Sequence, residues 1–151
     1  MADLRLEELS AANIVAANSL TLKPGQEQFV APVSHSIAEA YVNQSTTWPR
    51  VVLDGDRVVG FIMANFDPEA RDEEFRCCIW RINVAAEAQG QGVGRFGVEA
   101  VATEARSRGF DRLHVIWEPG PQGPEQFFLR VGFSMVGQTR YGESIGVLDL
   151  R

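Results

Sequence analysis

The sequence predicts an α+β domain built on one mixed, mostly antiparallel sheet, and three observations carry that reading. Two apolar runs, Val51-Val52-Leu53 and Val58–Met63, flank Asp54-Gly55-Asp56, the pattern of a β-hairpin. A strand-like run, Cys77–Val84, leads through a glycine-rich loop into a helix-like run, Arg95–Arg108. The predicted order, β-α-α-β-β-β-α-β-α-β-β, mixes hairpins with a single strand–helix–strand passage. At 151 residues the chain is one domain's worth, residues 1–151, and long enough to bury a core without staples.

The elements follow from spacing and punctuation. Leu4, Leu6 and Leu9 suggest a first strand, after which Ser10 can cap a short helix over Ala11–Asn18. Ser36-Ile37-Ala38-Glu39 reads as a capping box, which starts a second helix near Ile37 and carries it through Tyr41. The hairpin comes next, then an acidic loop, and Phe75–Val84 reads as a longer strand. Val93, Phe96, Gly97, Ala100, Val101 and Ala105 recur at helical spacing, and Gly109 can end that helix. Leu113–Trp117 is a buried strand candidate, followed by the Pro/Gly-rich loop Glu118–Gly123. Pro124 suits a helix start, Glu125–Val131 makes a short helix, and Gly132 closes it. Phe133–Gln138 and Ser144–Leu150 form a final antiparallel pair around Tyr141-Gly142.

Composition narrows the function classes. Hydrophobic content of 45% and charged content of 23% are those of an ordinary globular protein. The chain has no apolar run near ~18 residues, so no membrane span is expected. Its first residues lack a signal-peptide pattern, which makes a cytoplasmic protein the default expectation. The net charge of −6 argues against a nucleic-acid partner. Cys77 and Cys78 are adjacent in a strand and should face opposite ways, and two histidines add little, so no metal site is expected. Asp67, Glu69, Asp72, Glu73 and Glu74 crowd one segment, either a solvated loop or an acidic rim that gathers a cationic substrate.

Gln89-Gly90-Gln91-Gly92-Val93-Gly94 is the most telling segment. Small residues ahead of a helix expose backbone N–H groups at the positive end of its dipole, a cradle for phosphate. Gly92-Val93-Gly94-Arg95-Phe96-Gly97 also matches the dinucleotide fingerprint G-x-G-x-x-G, with Glu118 downstream to hold a ribose. That geometry turns almost directly off the strand end, whereas Gly92 follows Val84 by eight positions. An antiparallel hairpin precedes the strand–loop–helix–strand unit and only two strands follow it, which supplies too few βαβ units for a doubly wound sheet.

Gln89-x-x-Gly92-x-Gly94, starting several residues past a strand and opening a long helix, resembles the acyl-CoA pyrophosphate loop of the GNAT family of N-acetyltransferases. Ile82–Ala88 looks like that family's splayed fourth strand and its connection, and Pro124–Phe133 resembles its closing motif, an aromatic pair and then Gly-Phe. Leu20–Tyr41 looks like the N-terminal part of bacterial spermidine/spermine-type members. The resemblance implies a three-layer fold, with helices on both faces of a sheet whose central strands splay. It also implies acetyl-CoA as co-substrate, a small-molecule amine such as a polyamine as acceptor, direct attack in a ternary complex, and a possible homodimer.

By the same resemblance, Ile82, Asn83, Val84, Gln89, Gly90, Gln91, Gly92, Val93, Gly94, Arg95, Phe128 and Arg130 are the cofactor-binding positions. The acceptor ammonium, with a pKa near ~10.4, must lose a proton before it attacks. Glu118, at a strand end, is the candidate base, with Glu74 a second. His114 is expected to be a packed core residue. The second aromatic of the closing motif is commonly tyrosine, placed to protonate the departing thiolate. Here it is Phe128, which predicts a slower enzyme, a substitute acid such as Tyr141 or water, or loss of catalysis and a silent acyl-CoA-binding protein. Pro121 stands where many relatives carry an asparagine. Trp48, Trp80, Trp117 and Tyr41 are either acceptor-pocket aromatics or core.

Overall fold

The hairpin forms as its sequence requires. In the computed structural model, which describes residues 3–151, β2 (Thr47–Asp54) and β3 (Arg57–Phe66) pair down to Asp54–Arg57. The turn between them holds two residues. Its first, Gly55, has φ +61°, the positive value that matches a turn to the twist of its strands. β1 (Leu4–Glu8) adds antiparallel to β2, and β4 (Cys77–Val84) adds antiparallel to β3. Beyond α3 (Val93–Ser107), β5 (Arg112–Trp117) lies parallel to β4. α4 (Glu125–Arg130), β6 (Ser134–Gln138) and β7 (Ser144–Asp149) complete a seven-stranded sheet ordered β1-β2-β3-β4-β5-β7-β6.

Helices cover both faces, which explains why β3 is buried almost from end to end. Ile62, Ala64 and Phe66 point to one face and pack with Val98, Val101 and Ala105 of α3 and with Phe128 of α4. Phe61 and Met63 point to the other and pack with Ala17 of α1 (Ile14–Asn18) and Val33 and Ala40 of α2 (Val33–Val42). Cys77 and Cys78 divide between the faces in the same way, Cys77 entering the α3 side. Burial pushes the Cys77 thiol up to about 12 and raises that of Cys78 as well.

β4 and β5 hold together only at Cys78–His114 and Ile79–Val115, and past these pairs they splay. β4 is also irregular there: Met63 faces Arg81 while Ala64 faces Ile79, so Trp80 is an inserted residue that bends the strand. From Trp80 to Val84 the β5-facing backbone edge of β4 therefore has no ladder partner.

Several boundaries differ from the sequence reading. α2 begins at Val33, one turn before the supposed capping box, with Pro32 preceding it at φ −56°. Ser36 is thus interior to the helix and fully buried, its Oγ without a hydrogen-bond partner, and Glu39 turns away to an ion pair with Arg81. Ser10 does cap, but it caps a turn: its Oγ accepts from the Ala12 amide, and the Asn13 side chain accepts from the Ser10 amide. The helix itself starts at Ile14. Glu73–Phe75 is a tight 3-10 turn, so β4 starts at Cys77.

Candidate functional site

α3 opens on Gly92 in a left-handed conformation (φ +88°), with Gly90 (φ +79°) two residues earlier. Neither glycine has any atom within reach of an added Cβ, so both face open space. No side chain caps this helix and no acidic residue sits in its first turn. Its first amides are left without intrahelical acceptors at the positive end of a 15-residue dipole. An anion is the ligand such an end lacks.

Gln89 braces the loop. Its Nε2 donates to the Val84 carbonyl (3.0 Å) and to Gln26 Oε1 (2.7 Å), and its Oε1 accepts from Gln26 Nε2 (3.0 Å). The loop is thereby tied to the end of β4 and to the 3-10 turn Gln26–Gln28. Gly94 makes a close approach: a Cβ there would lie 2.8 Å from the Phe127 ring, so only glycine lets α4 come this near.

A cavity of about 620 Å³ starts at this glycine loop and runs into the gap between β4 and β5. On the α3 side it is walled by Gly90, Gly92, Val93, Gly94 and Arg95, with Phe127, Phe128 and Arg130 of α4 at the same end. Ile82 and Val84 line its floor. Deeper in, Ile79, Trp80 and Arg81 of β4 meet Val115, Ile116 and Trp117 of β5. Leu22, Gln26, Phe29 and Val30 close it from the N-terminal segment. Gly123 lets the Pro/Gly-rich loop settle there, since a Cβ on it would come within 3.1 Å of Phe29.

Of the expected cofactor positions, ten line this one cavity: Ile82, Val84, Gln89, Gly90, Gly92, Val93, Gly94, Arg95, Phe128 and Arg130. Asn83 does not; it is buried on the other side of the strand and donates to the Ala31 carbonyl. Gln91 donates to the Glu87 carbonyl on the exposed outside of the loop. Glu118 is exposed at the end of β5 and absent from the lining, as are Glu74 and Tyr141, which is 76% exposed. His114 is buried, and burial holds its pKa below the usual histidine value. Trp80 and Trp117 line the cavity, whereas Trp48 packs in the core and Tyr41 is exposed.

The acidic segment forms no part of the lining. Asp72 pairs with Arg140 of the β6–β7 turn at 2.7 Å and Glu73 with Arg112 of β5 at 3.1 Å.

Two features of the lining were not read from the sequence. Trp117 stacks on Phe128 (5.5 Å, 29°), and its buried indole N–H has no acceptor. Arg81 donates to the Trp80 carbonyl (3.0 Å) and to Glu39 (3.1 Å), while its Nε is buried without a partner. Each unmet buried donor costs about 1–3 kcal/mol. Both depend on tertiary neighbours; only the alternation along β4 and β5 hinted at them.

Among the described residues, no group of three or more histidine, cysteine or acidic side chains is placed to hold a metal ion. No described helix is long and apolar enough to cross a membrane.

Comparison with known proteins agrees with this geometry. The family model described as "Acetyltransferase (GNAT) family" matches residues 18–133. A mycothiol acetyltransferase from Jonesia denitrificans is 32% identical over 83 residues, 55% of this chain and 25% of that protein. The chain thus spans about a quarter of that curated relative's length. Two solved structures share the fold. A GNAT-family protein from Desulfovibrio desulfuricans superposes with a TM-score of 0.73 at 16% identity, over 98% of this chain and 99% of that one. An N-acetyltransferase from Thermoplasma acidophilum, solved in complex with coenzyme A, superposes with a TM-score of 0.69 at 12% identity, over 97% and 99%.

Proposed function

The chain belongs to the acetyltransferase (GNAT) family, and from that membership we propose that it transfers an acetyl group from acetyl-CoA to a primary amine, releasing the CoA thiol. One observation carries the proposal: a single cavity joins an uncapped, glycine-opened helix N-terminus to an unpaired stretch of strand backbone.

The residues present suit acyl-CoA. The open glycines and the first amides of α3 would hold the pyrophosphate, with Arg95 and Arg130 adding positive charge. The edge of β4 at Ile82–Val84, which lacks a strand partner, offers main-chain groups to the amide-bearing arm as for an added strand, although its Val84 carbonyl already accepts from Gln89. Its amides are also the donors nearest to hand for a developing oxyanion. The bound co-substrate supplies an acetyl group already activated as a thioester.

No carboxylate, histidine or lysine lines the cavity. The acceptor's ammonium proton therefore leaves through water toward solvent. The aromatic cluster of Phe127, Phe128 and Trp117 in the wall contains no hydroxyl, so it would supply no proton to a departing thiolate. An overall charge of −6 and the N-terminal resemblance support a polyamine acceptor. Against it, the lining offers no carboxylate for a second ammonium.

The test is thermal shift with acetyl-CoA and with NAD(H), followed by thiol release with a panel of polyamines and amino acids. We expect stabilisation by acetyl-CoA alone and amine-dependent release of thiol. No stabilisation by acetyl-CoA would sink the proposal, and binding without turnover would make the protein an acyl-CoA-binding module. The protein's own thiols do not confuse the assay, because both are buried and their pKa values are raised.

A further inference from the structure

The acceptor end of the cavity carries the wrong charge for a polycation. Beyond the α3–α4 end, the one ionic group in the lining is Arg81, and every acidic residue lies outside it. Arg81 reaches the cavity from the α2 side of the splay, next to the inserted Trp80. Its side chain is 26% exposed, and its single ionic partner is Glu39, itself 32% exposed and shared with His35 at 3.8 Å.

Resting on the acetyltransferase reading above, we infer that Arg81 receives a carboxylate of the acceptor, so that the amine acetylated belongs to an amino acid. A planar guanidinium with free donors matches a carboxylate in shape as well as charge. Glu39 already pairs with Arg81 at 3.1 Å, so an incoming anion must share the guanidinium with it, which a singly charged carboxylate does at less repulsion than a doubly charged phosphate. Arg95 and Arg130 lie at the other end, on α3 and α4, where the glycine cradle is. Two anion sites at opposite ends of one cavity fit two substrates: the pyrophosphate at α3 and the acceptor carboxylate at β4. The acceptor amine then lies in the gap between β4 and β5, between those ends.

Matched pairs that differ only by a carboxylate test this: 2,4-diaminobutyrate against 1,3-diaminopropane, and lysine against 1,5-diaminopentane. Each is assayed by thiol release and, independently of turnover, by thermal shift of the CoA-saturated protein. The amino acid of each pair should be preferred at least tenfold in kcat/KM and should alone raise the Tm of the CoA complex. Arg81→Gln should raise KM for the amino acids tenfold or more and should not raise KM for the diamines. Arg81→Lys, which keeps the charge and guards against misfolding, should fall between. Glu39→Gln frees Arg81 and should lower KM for the amino acids; a rise would mean that Glu39 holds the amine instead. Diamines used as well as or better than amino acids, or an Arg81→Gln variant that weakens both classes equally, would overturn the inference. Absence of thiol release from every amine would count against the acetyltransferase reading only, and the thermal-shift comparison would still decide the role of Arg81.

Discussion

Phe128 is a buried packing residue that also forms part of the cavity wall. It is 2% exposed, stacks on Trp117 and meets Phe127 and Phe133 edge to face, with ring centroids 5.2–5.8 Å apart. Truncating such a ring costs about 3–5 kcal/mol, so packing alone gives a reason to keep an aromatic here. A tyrosine would keep the packing and add an acid at the cavity wall. General acid help is worth roughly 10²–10⁴-fold when the leaving group needs it, but a thiol near pKa ~8.5 leaves tolerably by itself. Phe128→Tyr should therefore raise kcat by about tenfold, below that range, with KM for acetyl-CoA within about twofold of the parent. The pH profile of kcat should gain an alkaline limb as the new hydroxyl titrates. An unchanged kcat and profile would show that this position no longer serves proton transfer. The missing hydroxyl was legible from one letter of sequence. The unpartnered Trp117 indole beside it was not, because an indole's environment depends on which strands close around it.

At the scale of elements, the meeting of α3 with α4 sets the cofactor end of the cavity. Gly94 is needed for contact and not for φ: its added Cβ would stand 2.8 Å from Phe127, whereas Gly90 and Gly92 face open space at positive φ. Gly94→Ala should push the Phe127 ring into the cavity and weaken acetyl-CoA binding about tenfold in a calorimetric titration. Phe127→Leu in the same chain should restore part of that affinity by making room; no restoration would place the damage in the α3 amides instead. Spacing and glycines made α3, the hairpin and the β4–loop–helix passage readable, since local patterns fix all three. The start of α2 was misread for a physical reason. Ser-x-x-Glu marks a cap only if its serine is free to fold back, and Ser36 is buried in the core face while Glu39 serves Arg81. The Gln26–Gln89 brace joins residues 63 positions apart, a separation that no local rule spans. Glu118 and Tyr141 were chosen for their place along the chain, but they project outside the cavity lining.

Across the whole molecule, charge is segregated. The chain carries 20 acidic and 14 basic side chains, yet its main cavity is lined by arginines and no carboxylate. Overall charge was legible in the sequence and pointed toward a cationic substrate; its distribution, which only folding creates, points the other way. The acidic exterior should repel anions at long range, while the arginine-lined interior attracts them at short range. These effects respond differently to salt, because exposed charges beyond a Debye length of about 10 Å at 0.1 M are screened and enclosed ones much less so. Arg95 is roughly half exposed, so the cofactor-end attraction should still be sensitive to salt. The Kd for CoA should rise about three- to tenfold between roughly 0.05 and 0.5 M monovalent salt, while that for pantetheine, which lacks the phosphates, should stay flat. Arg95→Gln and Arg130→Gln should each weaken CoA at low salt and flatten its salt dependence, without changing pantetheine. If CoA and pantetheine weaken in parallel, or CoA tightens as salt rises, the acidic exterior governs binding and the α3–α4 arginines do not hold the phosphates.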